Sequence, residues 1–156
     1  MKKYFPFILL SILLVGLDQG SKFFFEGKNI PLFSFISFQY SENTGAAFSL
    51  FQGHNLALLI ISLCALLFVV YSFTEYPLAL SFLLAGLLGN LLDRIFFGFV
   101  RDFISLSIWP IFNLADAWNT IAVCLLLYAF WKEKKLRKPG FLPSALHSQQ
   151  ATNRKS

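Results

Sequence analysis

Apolar positions along this chain gather into four long stretches separated by polar segments. The first runs from about Tyr4 to Phe25, the second from Asn55 to Thr74 without a charge, the third from Pro77 to Gly98 and the fourth from Ile111 to Trp131. A helix needs roughly 20 apolar residues to cross a bilayer, and each stretch supplies them. Pro77 suits an early helical position, where a backbone N–H is not needed. The pattern predicts an all-α integral membrane protein, a four-transmembrane-helix bundle. Lys2 and Lys3 ahead of the first stretch also fit a cleaved signal peptide. That reading lacks a convincing small-x-small cleavage site, and Asp18, Lys22 and further phenylalanines follow at once.

The segments between the stretches differ in character. A tight inner turn joins the second and third near Glu75-Tyr76-Pro77. The longer segment 26–54 mixes Phe and Ile with Ser and Gln from Ile30 to Tyr40, a weak strand pattern, and then carries the turn signal Asn43-Thr44-Gly45. An aromatic segment of this kind fits the membrane interface, so a small extracytoplasmic β-like loop domain lying on the membrane is expected. Residues 99–110 form a second outer segment. Residues 1–131 read as the membrane domain. Residues 132–156 read as a basic, disordered cytoplasmic tail, polar after Pro139, Gly140 and Pro143.

Composition agrees with the pattern. Of 156 residues, 56% are hydrophobic and only 13% charged, which excludes an ordinary soluble domain, where about 25% would be charged. Cys64 and Cys124 lie in apolar runs and read as small buried hydrophobes, with no disulfide framework. The net charge of +5 does not signal nucleic acid, because most of it sits in the tails: Lys2, Lys3, Lys132, Lys134, Lys135, Arg137, Lys138, Arg154 and Lys155. That distribution puts both termini in the cytoplasm and the segments 26–54 and 99–110 outside.

Against this background the carboxylates Asp102 and Asp116 stand out, since charge at bilayer depth persists where it has a partner or a task. Asp102 follows the outer end of the third stretch. Asp116 is expected about a turn and a half inside the fourth. Both fall near the outer leaflet, where two converging carboxylates sharing a proton can activate water. The bland alternative for Asp102 is a surface ion pair with its neighbour Arg101. Asp18 and Lys22, at i and i+4, read equally as a neutralising pair or as active-site support. Asn90 and Arg94 share a helix face, and Arg94 has three candidate partners: Asp93, a phosphate headgroup or an active-site carboxylate. Asn90 and Asp93 also read as structural glue between helices. Asn113, Asp116, Asn119 and Thr120 form a polar helix face that must look at other helices or a wet cleft. The chain has no HExxH, GxSxG or phosphate-loop motif. On the residues alone, an aspartic peptidase and a small proton- or ion-conducting protein stand nearly level, with a structural subunit third.

Five fragments, in order, then bring a family into view: Asp18-Gln19-Gly20-Ser21-Lys22, Asn43-Thr44-Gly45-Ala46-Ala47-Phe48, Gly89-Asn90 with Asp93-Arg94, Val100-Arg101-Asp102-Phe103, and Phe112-Asn113-Leu114-Ala115-Asp116. The chain resembles bacterial lipoprotein signal peptidase (signal peptidase II), a family of inner-membrane aspartic peptidases. The resemblance implies removal of signal peptides from diacylglyceryl-modified prolipoproteins, just before the lipidated cysteine. It puts the catalytic pair on Asp102 and Asp116 and support on Asp18, Lys22, Asn43, Asn90, Arg94 and Asn113. It implies a small sheet that cradles substrate on the membrane, prolipoproteins and membrane lipids as partners, a monomer, and neither cofactor nor metal. Two details depart from the family pattern: Ala117 stands where many members have Ser, and the stretch between the aspartates is short.

Overall fold

The computed structural model describes residues 3–45 and 55–136. Its elements run α1 (Phe5–Phe25), β1 (Asn29–Phe33), β2 (Ile36–Asn43), α2 (Asn55–Ser72), α3 (Pro77–Phe96), β3 (Val100–Leu106), β4 (Trp109–Phe112) and α4 (Leu114–Leu136). Pro6 and Pro77 sit in the first turns of α1 and α3, where the missing N–H leaves no gap in the helix. Among the described residues, α1, α3 and α4 are long and apolar enough to cross a membrane, and α2 is a shorter apolar helix. Ile8, Leu9, Ile12, Leu13 and Leu17 of α1 and Ile60, Ile61, Leu67 and Phe68 of α2 are exposed. On a membrane protein such faces meet lipid, so their exposure carries no hydrophobic penalty.

The helix α3 is central to this arrangement. Half of its span is buried against 22% of that of α1, and it packs on both α1 and α2. Close approach depends on Gly89. A Cβ there would lie 2.5 Å from the Asp18 carboxylate and 3.0 Å from the Cβ of Ala115. Gly98, at φ +83°, follows the last turn of α3, and its N–H donates to the Arg94 carbonyl at 3.2 Å. This left-handed residue ends the helix and turns the chain straight into β3.

The four strands form one antiparallel sheet in the order β1-β2-β3-β4. Ser41 pairs with Asp102, Glu42 with Arg101 and Asn43 with Val100. The Phe25 ring, at the end of α1, lies 4.9 Å from Phe103 and 4.2 Å from Phe38, which seats the sheet on that helix end. The sheet is therefore larger than the expected β-like loop. Residues 100–112 supply two of its four strands, and the all-α description does not hold. Cross-strand pairing with the outer segment outweighed a short run that gave no strand signal of its own.

Two further expectations are corrected. Cys64 and Cys124 are exposed free thiols, because a lipid-facing helix side is as apolar as a core. The fourth helix begins at Leu114, since Ile111 and Phe112 belong to β4, and Asp116 therefore sits in its first turn. Compact packing divides the chain after Val123. In the second unit, described through Leu136, the Tyr128 and Trp131 rings meet at 6.1 Å and the Lys135 ammonium lies over Trp131. The expectations for Ala46, Ala47 and Phe48 and for the tail beyond Leu136 lie outside the described residues.

Candidate active site

Asp102 and Asp116 line one cleft of about 520 Å³, shared with Asn43 and Gly45 from the β2 side, Asn90 and Arg94 of α3, and Trp109 to Phe112 of β4. Each carboxylate is clamped at both oxygens. The Asn113 amide donates to Asp102 Oδ1 at 2.6 Å and the Asn43 amide to Asp102 Oδ2 at 2.9 Å. The Asn90 amide donates to Asp116 Oδ1 at 2.8 Å, and the backbone N–H of Asn113 donates to Asp116 Oδ2 at 3.3 Å.

The three asparagines are oriented by donors that bind their oxygens. The Gly45 N–H donates to Asn43 Oδ1 at 2.9 Å, an Asx-turn, so the Asn43 NH2 faces Asp102. The Asp116 N–H donates to Asn113 Oδ1 at 3.0 Å. With the return bond from the Asn113 N–H to Asp116, this is a reciprocal cap on α4, and it turns the Asn113 NH2 toward Asp102. The Asn90 oxygen accepts from the Lys22 ammonium at 3.0 Å and from Asn113 at 3.0 Å, which leaves its NH2 for Asp116.

Behind this layer lies a buried ionic cluster. Lys22 sits 2.8 Å from Asp18 and 3.2 Å from Asp93, with all three side chains fully buried. Asp18 accepts the Ala115 N–H at 2.8 Å, so a carboxylate of α1 caps the N-terminus of α4, where a negative charge is favoured. Asp93 accepts both the side chain of Arg101 at 2.8 Å and its backbone N–H at 2.9 Å. Gln19 bridges Asp18, Gly89 and Asp93 through its amide and accepts from Arg101 at 2.9 Å.

The cluster resolves the open pairings. Arg101 does not pair with Asp102, because neighbours on a strand point to opposite faces. It pairs with Asp93 and, at 3.5 Å, with Glu26. Arg94 does not pair with Asp93 either. Its guanidinium donates to the Gly45 carbonyl at 3.0 Å and stands in the field of Asp116 and Asp102. All eight expected site residues thus converge on the cleft or on the shell behind it. Gln19, Asp93 and Arg101 complete that shell without having been singled out. All three stood in the familiar fragments, but their long-range pairing with one another gave no signal in the sequence.

Burial is the main force on Asp102, with repulsion from Asp116 second; together they push its pKa up to about 7 against the pull of the Asn43 and Asn113 hydrogen bonds. A carboxyl so poised holds a proton near neutral pH beside a second carboxylate, the requirement for joint acid and base action. No group of metal-ligand type is assembled among the described residues.

Comparison with known proteins agrees with this architecture. The family described as signal peptidase (SPase) II matches residues 10–132. The chain is 35% identical over 136 residues to the lipoprotein signal peptidase of Moorella thermoacetica, covering 79% of this chain and 91% of that protein. It is 36% identical over 143 residues to that of Streptococcus pyogenes serotype M1, covering 82% and 94%. Among solved structures, a bacterial membrane enzyme determined by the in meso method at 2.3 Å resolution superposes with a TM-score of 0.81 at 31% identity, covering 88% of this chain and 94% of that one.

Proposed function

This chain belongs to the signal peptidase II family and removes signal peptides from prolipoproteins, and we propose that it does so with Asp102 and Asp116 as a pair sharing one proton. The observation that carries the assignment is the clamping of all four carboxylate oxygens at one cleft by donors fixed elsewhere in the fold. In the reaction, the ionised member takes a proton from water as the water oxygen attacks the scissile carbonyl. The protonated member hydrogen-bonds the carbonyl oxygen. The C–N bond then breaks, the departing amine is protonated, and the pair returns to one shared proton. The pair titrates as a unit, so the proton belongs to neither aspartate alone.

The remaining residues take supporting roles in this reading. Asn43, Asn90 and Asn113 hold the carboxylates. Asp18 and Lys22 hold Asn90 and the start of α4. Arg94 tethers the Gly45 turn and offers its charge to the substrate backbone. The protein is a multi-pass bacterial membrane enzyme. We place four helices across the membrane, both termini in the cytoplasm, the cleft at the outer leaflet and the working form as a monomer. Substrate then enters sideways from the bilayer, and acyl-chain burial at ~0.8 kcal/mol per CH2 makes the diacylglyceryl group a strong handle.

The test is cleavage by the purified protein in detergent of one prolipoprotein in two forms, with and without diacylglyceryl on its cysteine, the cut being located by mass spectrometry. Cleavage immediately before the cysteine, confined to the lipidated form, is expected. Equal cleavage of both forms would refute the lipid-directed reading.

A further inference from the structure

One polar side chain at the cleft has no part in the chemistry above. Asn119 lines the cleft together with Thr120, and both stand about one turn along α4 from Asp116, on the same helix face. The Thr120 hydroxyl is satisfied by the Asp116 carbonyl at 2.9 Å. The Asn119 amide is not: its Oδ1 is buried and accepts no hydrogen bond. A buried acceptor without a donor is costly and calls for an explanation.

The surroundings of that oxygen supply one. It lies over Gly86 of α3, where an added Cβ would run into the Asn119 amide and come within 2.5 Å of the Ala115 carbonyl oxygen. Both oxygens therefore border the same small space over Gly86, and Asn119 Oδ1 finds no donor there. A half-turn of the amide exchanges its ends. The NH2 then occupies the buried seat beside the Ala115 carbonyl, and the oxygen turns to the cleft as a free acceptor. Gly86 leaves room for either orientation, which a larger residue would remove.

We propose that Asn119 is a specificity-determining residue whose amide oxygen accepts a backbone N–H of the signal peptide, within the three residues preceding the cleavage site. The direction follows from the helix. From Asp116 to Asn119, α4 runs inward from the end that carries the carboxylate pair, and the signal peptide is the part of the substrate that reaches up from the membrane interior. Its last residues must unwind to present the scissile bond, which leaves their N–H groups unpaired in a water-poor site, and a built-in acceptor compensates. The proposal rests on the peptidase reading above.

The experiment pairs a protein change with a substrate change. Wild type, Asn119→Leu and Asn119→Ser are assayed on a lipidated prolipoprotein peptide and on three analogues. Each analogue replaces one backbone amide, among the three before the cysteine, with an ester that lacks the N–H. Expected is a rise in KM of about tenfold for Asn119→Leu with kcat little changed, the scale of one lost hydrogen bond. One analogue should cost wild type the same factor and cost Asn119→Leu nothing more. Should Asn119→Leu not fold, Asn119→Ser provides the same comparison. Independent, multiplying losses at all three positions would overturn the proposal. So would a loss that disappears only when the diacylglyceryl esters are replaced by ethers, which would assign Asn119 to the lipid. Failure of wild type to cut the parent peptide would instead defeat the peptidase reading itself.

Discussion

Lys22→Met removes the only ammonium in a fully buried cluster and leaves two carboxylates to share what remains. Lys22 lies 2.8 Å from Asp18 and 3.2 Å from Asp93. Deleting one member of a buried ion pair costs about 3–5 kcal/mol, because the partner stays buried without compensation. Two carboxylates lose the cation here, yet each keeps other donors. Asp18 retains the Ala115 N–H and the Gln19 amide, and Asp93 retains the side chain and backbone N–H of Arg101. The expected loss is therefore that of one pair, about 3–5 kcal/mol, rather than twice that. For a chain of this size it corresponds to a fall in Tm of roughly 6–20 °C, read by thermal unfolding in detergent. Asp18→Asn added to Lys22→Met should recover part of the loss. The asparagine removes the stranded charge while keeping an oxygen for the Ala115 N–H. A loss under about 1 kcal/mol, the scale of a solvated surface pair, would refute the buried-cluster account. A double variant showing no recovery would refute it equally.

Four further outcomes are expected. Gly89→Ala places a methyl group 2.5 Å from a pinned carboxylate oxygen of Asp18, so thermal unfolding should report a loss of about 1–3 kcal/mol. Activity should fall as pH rises through about 7, because the raised pKa of Asp102 preserves the shared proton only below that point; a flat profile to pH 9 would contradict this. Asn43→Ala removes a hydrogen bond that favours the ionised form of Asp102, so the alkaline limb of the same profile should move to higher pH. Arg101→Met deprives Asp93 of one of its side-chain donors, the guanidinium at 2.8 Å, and should cost about 2 kcal/mol in unfolding free energy, with a lower kcat from the loosened start of β3.

Much of the site could be read in the chain because its chemistry is unusual for its surroundings. Carboxylates, amides and a lysine stand out in apolar helices, and each of Asp18, Lys22, Asn90, Asn113 and Asp116 was visible for that reason. Their pairing was less visible. Arg101 stands beside Asp102 in sequence, but strand geometry turns it to Asp93, and only the packing of α3 under β3 shows this. The helices followed from hydropathy within a few residues, except at the start of α4. There the aromatic and β-branched run through Phe112 looked like helix, while its pairing with β3 made it strand. The second hairpin was hidden for the same reason: Val100 to Leu106 is short and carries charge, and its identity as a strand comes from the partner β2. Burial of the cysteines was misjudged because lipid and core impose the same composition on a helix face.

The most direct test of the central claim is cleavage of a diacylglyceryl-modified prolipoprotein by purified wild type, Asp102→Asn and Asp116→Asn, with thermal unfolding of each followed in the same detergent. Wild type should cut, while both variants should keep a folded transition and lose at least about a thousandfold in kcat, since neither retains a pair able to hold and pass the proton. Near-normal turnover by either folded variant would contradict the shared-proton mechanism.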